Sequence, residues 1–294
     1  MPEREPDFRP ADRQSPVKIA VVGAIVALAA AAGWWYWSQR ETAAPASPPV
    51  ATAPAVPDAP PPVPPVAAAG PQNPVDALAE PDAVLPALGD SDVQAKKALT
   101  DLLGAQRVTT LLNVDGFVRR VVATIDNLPR AQAPSRMWPM VPAPERFTVE
   151  GSAERTTIGQ ANGPRYAAFT QMVEAVDAER AASLYARFYP LFQQAYEELG
   201  YPGRYFNDRL VAVIDHLLES PEPTGPVQVQ LTEVRGEFTA ERPWTRYEYV
   251  DPALESMSSG QKLMVRVGLA NERRLKAKLR AFRAQVATGA AAKR

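Results

Sequence analysis

Residues 185–223 read YARFYPLFQQAYEELGYPGRYFNDRLVAVIDHLLESPEP. Tyr185, Phe188, Tyr189, Phe192 and Tyr196 recur at helical spacing, which puts them on one face of a helix predicted over 178–199. A stripe of this kind is the core face of an amphipathic helix or, alternatively, an aromatic platform for a sugar or a peptide. Pro190 removes a backbone hydrogen bond inside the helix and predicts a kink. Gly200 suits the position just past its end.

A second helix is predicted over 204–219. At 100° per residue, Phe206, Leu210, Val213, Ile214, Leu217 and Leu218 share an apolar arc of about 140°. Asn207 falls inside that arc. A buried amide must be paired, so Asn207 bonds a backbone or polar neighbour, or else faces a ligand in a cleft. Tyr205, Asn207, Asp208, Arg209 and His216 are the candidate ligand-binding residues of this segment. His216 lies beside Arg209 at the edge of the apolar face. Asp215 points about 100° away from His216 and is badly placed to orient it. Arg204 and Asp208, at i and i+4, predict a weak surface pair.

Working outward, Ser91 and Gln94 fit a capping box that opens a helix ending near Gly104. Another helix covers 114–128 and stops at Pro129. Residues 146–151 and 154–159 alternate with period two and read as a short hairpin. Further helices are predicted over 164–175, 252–267 and 270–286, and further alternating segments at 227–235 and 246–250. The sum is an α+β, mainly α-helical domain over 88–286 with a minor antiparallel β element, followed by a flexible tail at 287–294.

Toward the N-terminus the composition changes. Residues 19–37, IAVVGAIVALAAAAGWWYW, carry no charge. As a helix they span roughly 28 Å, close to the hydrocarbon core of a bilayer. Trp34, Trp35, Tyr36 and Trp37 close the segment as an interfacial belt. Arg4, Arg9, Arg13 and Lys18 precede it, whereas Arg40 alone follows closely. The charge rule then predicts a single-pass anchor with residues 1–18 in the cytoplasm and the remainder exported. A cleaved signal peptide, with 29–31 (AAA) as the small-residue site, is the alternative, and it exports the same domain. Of the 42 residues at 45–86, 14 are Pro and 11 are Ala. Proline fixes φ and lacks a donor, so 38–87 reads as a disordered, extended spacer.

Composition excludes several chemistries. There is no Cys and one His, so disulfides, thiol nucleophiles and most zinc centres are ruled out. No metal or other cofactor is implied. No phosphate loop, dinucleotide fingerprint or nucleophile elbow occurs. Glu197 and Glu198 diverge on a helix and do not form a glycosidase pair. A formal charge of −1 gives no reason to expect a nucleic-acid partner. The last helix is basic, with Arg273, Arg274, Arg280 and Arg283 as candidate contacts to an anionic surface, or as a solvated outer face.

Three segments carry a resemblance: 185–223, Asp126-Asn127-Leu128-Pro129-Arg130, and Ser259-Gly260-Gln261-Lys262-Leu263-Met264. Together they resemble an uncharacterised bacterial family, domain of unknown function 3014. The resemblance implies an apolar anchor, a Pro/Ala-rich linker and one domain, in a bacterial envelope, and it carries no catalytic residues to transfer. The expectation is therefore an inner-membrane protein with a periplasmic interaction or scaffolding domain. It would be bound to the bilayer through 19–37 and would meet an envelope protein or cell-wall polymer. A cell-wall-acting enzyme and a binder of anionic envelope surfaces are the alternatives.

Overall fold

A computed structural model describes residues 70–75, 78, 84–152, 155–232 and 246–289. The expected cytoplasmic tail at 1–18, membrane helix at 19–37, most of the spacer and the last residues at 290–294 lie outside the described residues. Among the described residues, no helix is long and apolar enough to cross a membrane.

A 3₁₀ turn, Leu88–Asp90, leads into helix α1, Asp92–Leu103. The expected cap at Ser91 is corrected. Ser91 has helical backbone angles, and its buried hydroxyl donates to the Leu88 carbonyl at 2.8 Å, the nearest acceptor in the preceding turn. Gly104 ends α1 as expected, and a short helix α2, Ala105–Leu111, follows. Helix α3 is Phe117–Asn127, three residues shorter at its start than the periodicity suggests. Its N-terminus is capped from a distance. The Asp92 carboxylate accepts the Gly116 and Phe117 amides at 2.7 and 3.2 Å, which satisfies orphan donors and places negative charge at the helix start.

The hairpin forms as predicted. Strand β1, Val149–Ser152, pairs antiparallel with β2, Arg155–Ile158, in the register Val149 to Ile158. Gly151 has φ +107°, and a Cβ there would lie 2.2 Å from the Arg155 carbonyl oxygen, so only glycine fits. The helix expected over 164–175 is two: α4, Asn162–Arg165, and α5, Ala167–Ala175, with the break at Tyr166. Helix α6, Ala178–Glu198, is opened by the Asp177 side chain, which accepts the Arg180 amide at 2.8 Å. It runs through Pro190 and closes at Gly200, φ +111°. Helix α7 is Phe206–Leu218.

Strand β3, Val229–Leu231, pairs antiparallel with β4, Tyr247–Tyr249, and a single bridge, Thr157 to Gln228, links the two small sheets. The helix expected over 252–267 is again two, α8 at Pro252–Glu255 and α9 at Ser259–Arg266. Ser258 restarts it by accepting the Gln261 amide on its side chain at 3.2 Å. Helix α10, Leu269–Val286, ends the described fold. The fold is thus mainly helical with two small antiparallel sheets, in line with α+β.

The aromatic stripe of α6 is the centre of the core. Tyr185, Phe188, Tyr189, Phe192 and Tyr196 are all buried, against Val118 and Val122 of α3 and Phe206, Leu210 and Ile214 of α7. Phe192 stacks on Phe206 at 6.1 Å between centroids, and Tyr196 meets the same ring at 5.4 Å. A second cluster, with Val213, Leu217, Met264, Val267 and Leu275, buries the other side of α7 against α9 and α10. Helix α7 is therefore buried on two sides, which fixes the position of every polar group it carries.

Candidate functional site

Tyr205 precedes α7 in extended conformation, φ −91° and ψ 120°, so the Tyr205–Asp208 turn sits at the helix start. What it meets there is the chain's own backbone. The Asp208 carboxylate accepts the amides of Gln72 and Asn73 at 3.0 and 2.8 Å, and the Asn73 side-chain amide at 3.0 Å. The Tyr205 hydroxyl accepts the Val75 amide at 2.8 Å. Pro71 and Pro74 have no amide hydrogen, so the three backbone donors that residues 71–75 possess are all taken up by this turn.

Asn207 sits beneath, 0% exposed. Its amide nitrogen donates to the carbonyls of Asn73 and Val286 at 2.8 and 2.9 Å. Its oxygen accepts the Tyr185 hydroxyl at 3.2 Å, and its backbone amide donates to the Tyr189 hydroxyl at 3.3 Å. Burial pushes the ionisation of Tyr185 and Tyr189 well above that of ordinary tyrosine, so both remain neutral. The expectation of a paired amide therefore holds, with partners from both ends of the domain.

The chain end completes the clamp. The Thr288 hydroxyl donates to the Pro74 carbonyl at 2.7 Å, and the Gly289 amide donates to the Asn73 side-chain oxygen at 3.2 Å. A Cβ on Gly289 would lie 2.2 Å from the Gln72 carbonyl oxygen. Residues 70–75, read from the sequence as spacer, and 287–289, read as tail, are thus packed on the Tyr205–Asp208 turn. Val75 is 2% exposed, within the main core. The Arg204–Asp208 pair expected from helical spacing is replaced by this backbone grip.

Arg209 turns to a second knot. Asp126, 2% exposed, takes the Arg209 Nε at 3.2 Å on its carboxylate, and its carbonyl accepts Arg209 Nη2 at 2.9 Å. Arg130 and the Tyr201 hydroxyl reach the other carboxylate oxygen. Asp126 holds the Arg130 guanidinium firmly charged, above its ordinary pKa. Next to the knot, the Ser259 and Gly260 amides donate to the Arg130 and Leu128 carbonyls, both at 2.8 Å. The three sequence segments that carry the family resemblance therefore meet here, around Asp126, a residue given no role by the sequence pattern alone.

His216 bonds Ser258 at 2.8 Å through Nε2, while Asp215 pairs with Arg283 on α10. As expected, Asp215 does not orient His216. The arginines of the basic helix are largely paired with carboxylates, with Arg273 and Arg274 still exposed. Arg273 bonds Glu222 at 2.9 Å, Arg274 lies 3.7 Å from Glu174, and Arg283 holds Asp215. Arg280 is exposed. Lys276 is buried beside Glu272 and Glu222, at 3.3 and 3.1 Å. Glu272 is 0% exposed, with one carboxylate oxygen bonded to Ser220 and the other without a hydrogen-bond partner. Burial holds its pKa above the ordinary glutamate value. Among the described residues, no group of three or more His, Asp or Glu is arranged to hold a metal ion.

The tyrosine, asparagine and aspartate picked out from the sequence thus converge on one site, Arg209 and His216 belong to separate contacts, and residues 72–75 were missed. Their signal was available only as non-proline donors spaced between prolines. Residues 117–283 match the family model described as protein of unknown function (DUF3014). No curated protein and no solved structure matches the chain.

Proposed function

The chain belongs to the DUF3014 family, proteins of unknown function, and from that membership we propose that it is a membrane-anchored periplasmic protein whose folded domain serves interaction or scaffolding. The anchor is the apolar segment at 19–37, and the proline-rich stretch after it is the spacer. One observation carries the reading: the grip of Tyr205, Asn207 and Asp208 on residues 72–75. It fixes the end of the spacer to the domain at a defined point, as a positioned scaffold requires. The same grip engages the polar atoms that an active site would present to substrate, which favours interaction over a cell-wall enzyme. The pairing of Arg273, Arg274 and Arg283 with carboxylates of the domain likewise disfavours the anionic-surface reading.

The test is protease treatment of intact cells and spheroplasts producing the full chain, with the mass of the membrane-bound form. The expected result is digestion of the domain only after the outer barrier is opened, with residues 1–18 still attached. Protection in spheroplasts would place the domain in the cytoplasm and overturn the reading. Release of products from peptidoglycan fragments by the purified chain would replace scaffolding with catalysis.

A further inference from the structure

Residues 71–75 form a strap that lies between the Tyr205–Asp208 turn and the chain end as a peptide lies in a recognition groove. Main-chain hydrogen bonds hold it and two side chains identify it, the division by which extended peptides are recognised. Every polar atom of Asn73 is engaged. Its backbone and side-chain nitrogens donate to Asp208, its carbonyl accepts from Asn207, and its side-chain oxygen accepts from Gly289. The Val75 side chain, 2% exposed, fills a place in the main core. Pro74 stands where the groove asks for no amide hydrogen, only for the carbonyl that Thr288 binds. All these partners lie 130 or more residues away in sequence. The family match, 117–283, contains the Tyr205–Asp208 turn and not residues 71–75. The strap therefore meets the domain as a ligand does, from outside the unit that carries the turn.

We propose that this groove also takes the 71–75 strap of a second copy of the chain, so that copies link by exchanging straps. The occupant is set by what the groove recognises: Gln72-Asn73-Pro74-Val75 is seated there, and every further copy carries the same segment. An exchanged pair fills both grooves with the bonds that two closed monomers make. The bonds themselves impose no penalty, and the entropy of association and the connecting chain decide the balance. Leu78 donates its amide to the Val75 carbonyl at 2.8 Å and belongs with the strap. Six residues, 79–84, separate it from Leu85, which packs on the core; fully extended, that length of chain spans roughly 20 Å, enough to cross to a groove facing it on another copy. Copies held in one bilayer through 19–37 share a plane, which raises the concentration of straps around each groove. The proposal rests on the scaffolding reading and gives that scaffold its partner.

The experiment uses the purified full chain in detergent and a short bis-maleimide. The chain has no Cys, so only introduced thiols react. Pro74→Cys marks the strap and Thr288→Cys marks the groove, at residues that touch at 2.7 Å. Both marks in one chain set the full yield. For exchange the marks are placed on separate chains. Thr288→Cys is combined with Asn73→Ala, which leaves a good groove and a poor strap. Pro74→Cys is combined with Asp208→Asn, which leaves a good strap and a poor groove. The mixture should give a cross-linked dimer of the two, about tenfold more than either chain alone, since each weakening substitution removes bonds worth a factor of that order. The yield should rise with chain concentration. Val75→Asp in the strap-marked chain should return it to the level of either chain alone. The two marks without the weakening substitutions should give the dimer in lower yield, and they cover a weakened variant that does not fold. Absence of the dimer from both mixtures, or a dimer indifferent to Val75→Asp, would overturn the proposal. The reaction takes place in detergent, on neither side of a membrane, so its failure is distinct from a failure of the protease test.

Discussion

The carboxylate of Asp208 holds both the backbone amide and the side-chain amide of Asn73, at 2.8 and 3.0 Å, across a sequence separation of 135 residues. An ionised acceptor makes such bonds stronger than neutral pairs. One charge therefore holds three donors of residues 72–73, beside the neutral bonds made by Tyr205, Asn207, Thr288 and Gly289.

Asp208→Asn should loosen that attachment while leaving the core intact. We expect a loss of about 1–3 kcal/mol and faster hydrogen exchange at Gln72, Asn73 and Val75, with exchange in α6 changed only in line with global stability. Protection unchanged at those three amides would show that the clamp does not depend on the carboxylate.

Asn207→Leu is expected to be more damaging, although the residue is apolar and of similar size. It strands the Tyr185 hydroxyl and the Asn73 and Val286 carbonyls, and buried unpaired groups cost about 1–3 kcal/mol each. Urea denaturation should place its midpoint below that of Asp208→Asn. The reverse order would mean that water or rearrangement satisfies these groups.

Gly260→Ala tests the junction of α3, α7 and α9. A Cβ there would lie 2.6 Å from Leu217 Cδ2 and 3.0 Å from the Leu128 carbonyl oxygen. Leu217 can turn, but the carbonyl cannot, since it already accepts the Gly260 amide at 2.8 Å. Overpacking of this kind costs about 1–3 kcal/mol, read as a lowered denaturation midpoint. A variant as stable as the parent would show that the junction yields.

Stability should depend on pH through two glutamates of opposite sign. Burial raises the folded-state pKa of Glu272, so the folded state binds the proton more tightly than the unfolded state does. Stability then falls as pH rises from the ordinary glutamate value to the raised one, and stays flat above it. Hydrogen bonds from Arg273 and Lys276 lower the pKa of Glu222, so its contribution is present above the ordinary value and is lost as pH falls through the lowered one. The denaturation midpoint should therefore peak near the ordinary glutamate value. Glu272→Gln should remove the decline on the alkaline side and leave the acid side in place. A decline that persists in the variant would locate its origin elsewhere.

The helical core was legible because its signal is local. The spacing of Tyr185 to Tyr196 and the apolar arc of α7 are set by neighbours within a few turns, and both bury as read. Asn207 stood out as a polar residue in that arc, so the need for partners was legible, but their identity was not. Asn73 and Val286 lie 134 and 79 residues away, beyond any helical period. The same limit explains Asp208. Helical spacing offered Arg204, a solvated surface pair worth a few tenths of a kcal/mol, while the fold offered backbone donors brought in from the spacer. Ser91 departs from its expected role for a related reason: the sequence pattern assigned it to the helix it precedes, whereas its hydroxyl turns back to Leu88, and the neighbouring Asp92 carboxylate serves the distant start of α3. The breaks at Tyr166 and at 256–258 follow from hydrogen-bonded turns that leave the apolar spacing undisturbed, so periodicity alone ran through them.

The amide nitrogen of Asn207 touches the carbonyls of both Asn73 and Val286, so the beginning and the end of the folded part are neighbours. Topologically the domain is a closed ring. Residue 289 could be joined to residue 70 by a short glycine linker and the chain reopened in the exposed stretch around Ala131 without parting any helix from its neighbours, since termini that meet tolerate circular permutation. The same closure means that a reporter fused directly after Gly289 emerges beside the point where the spacer docks.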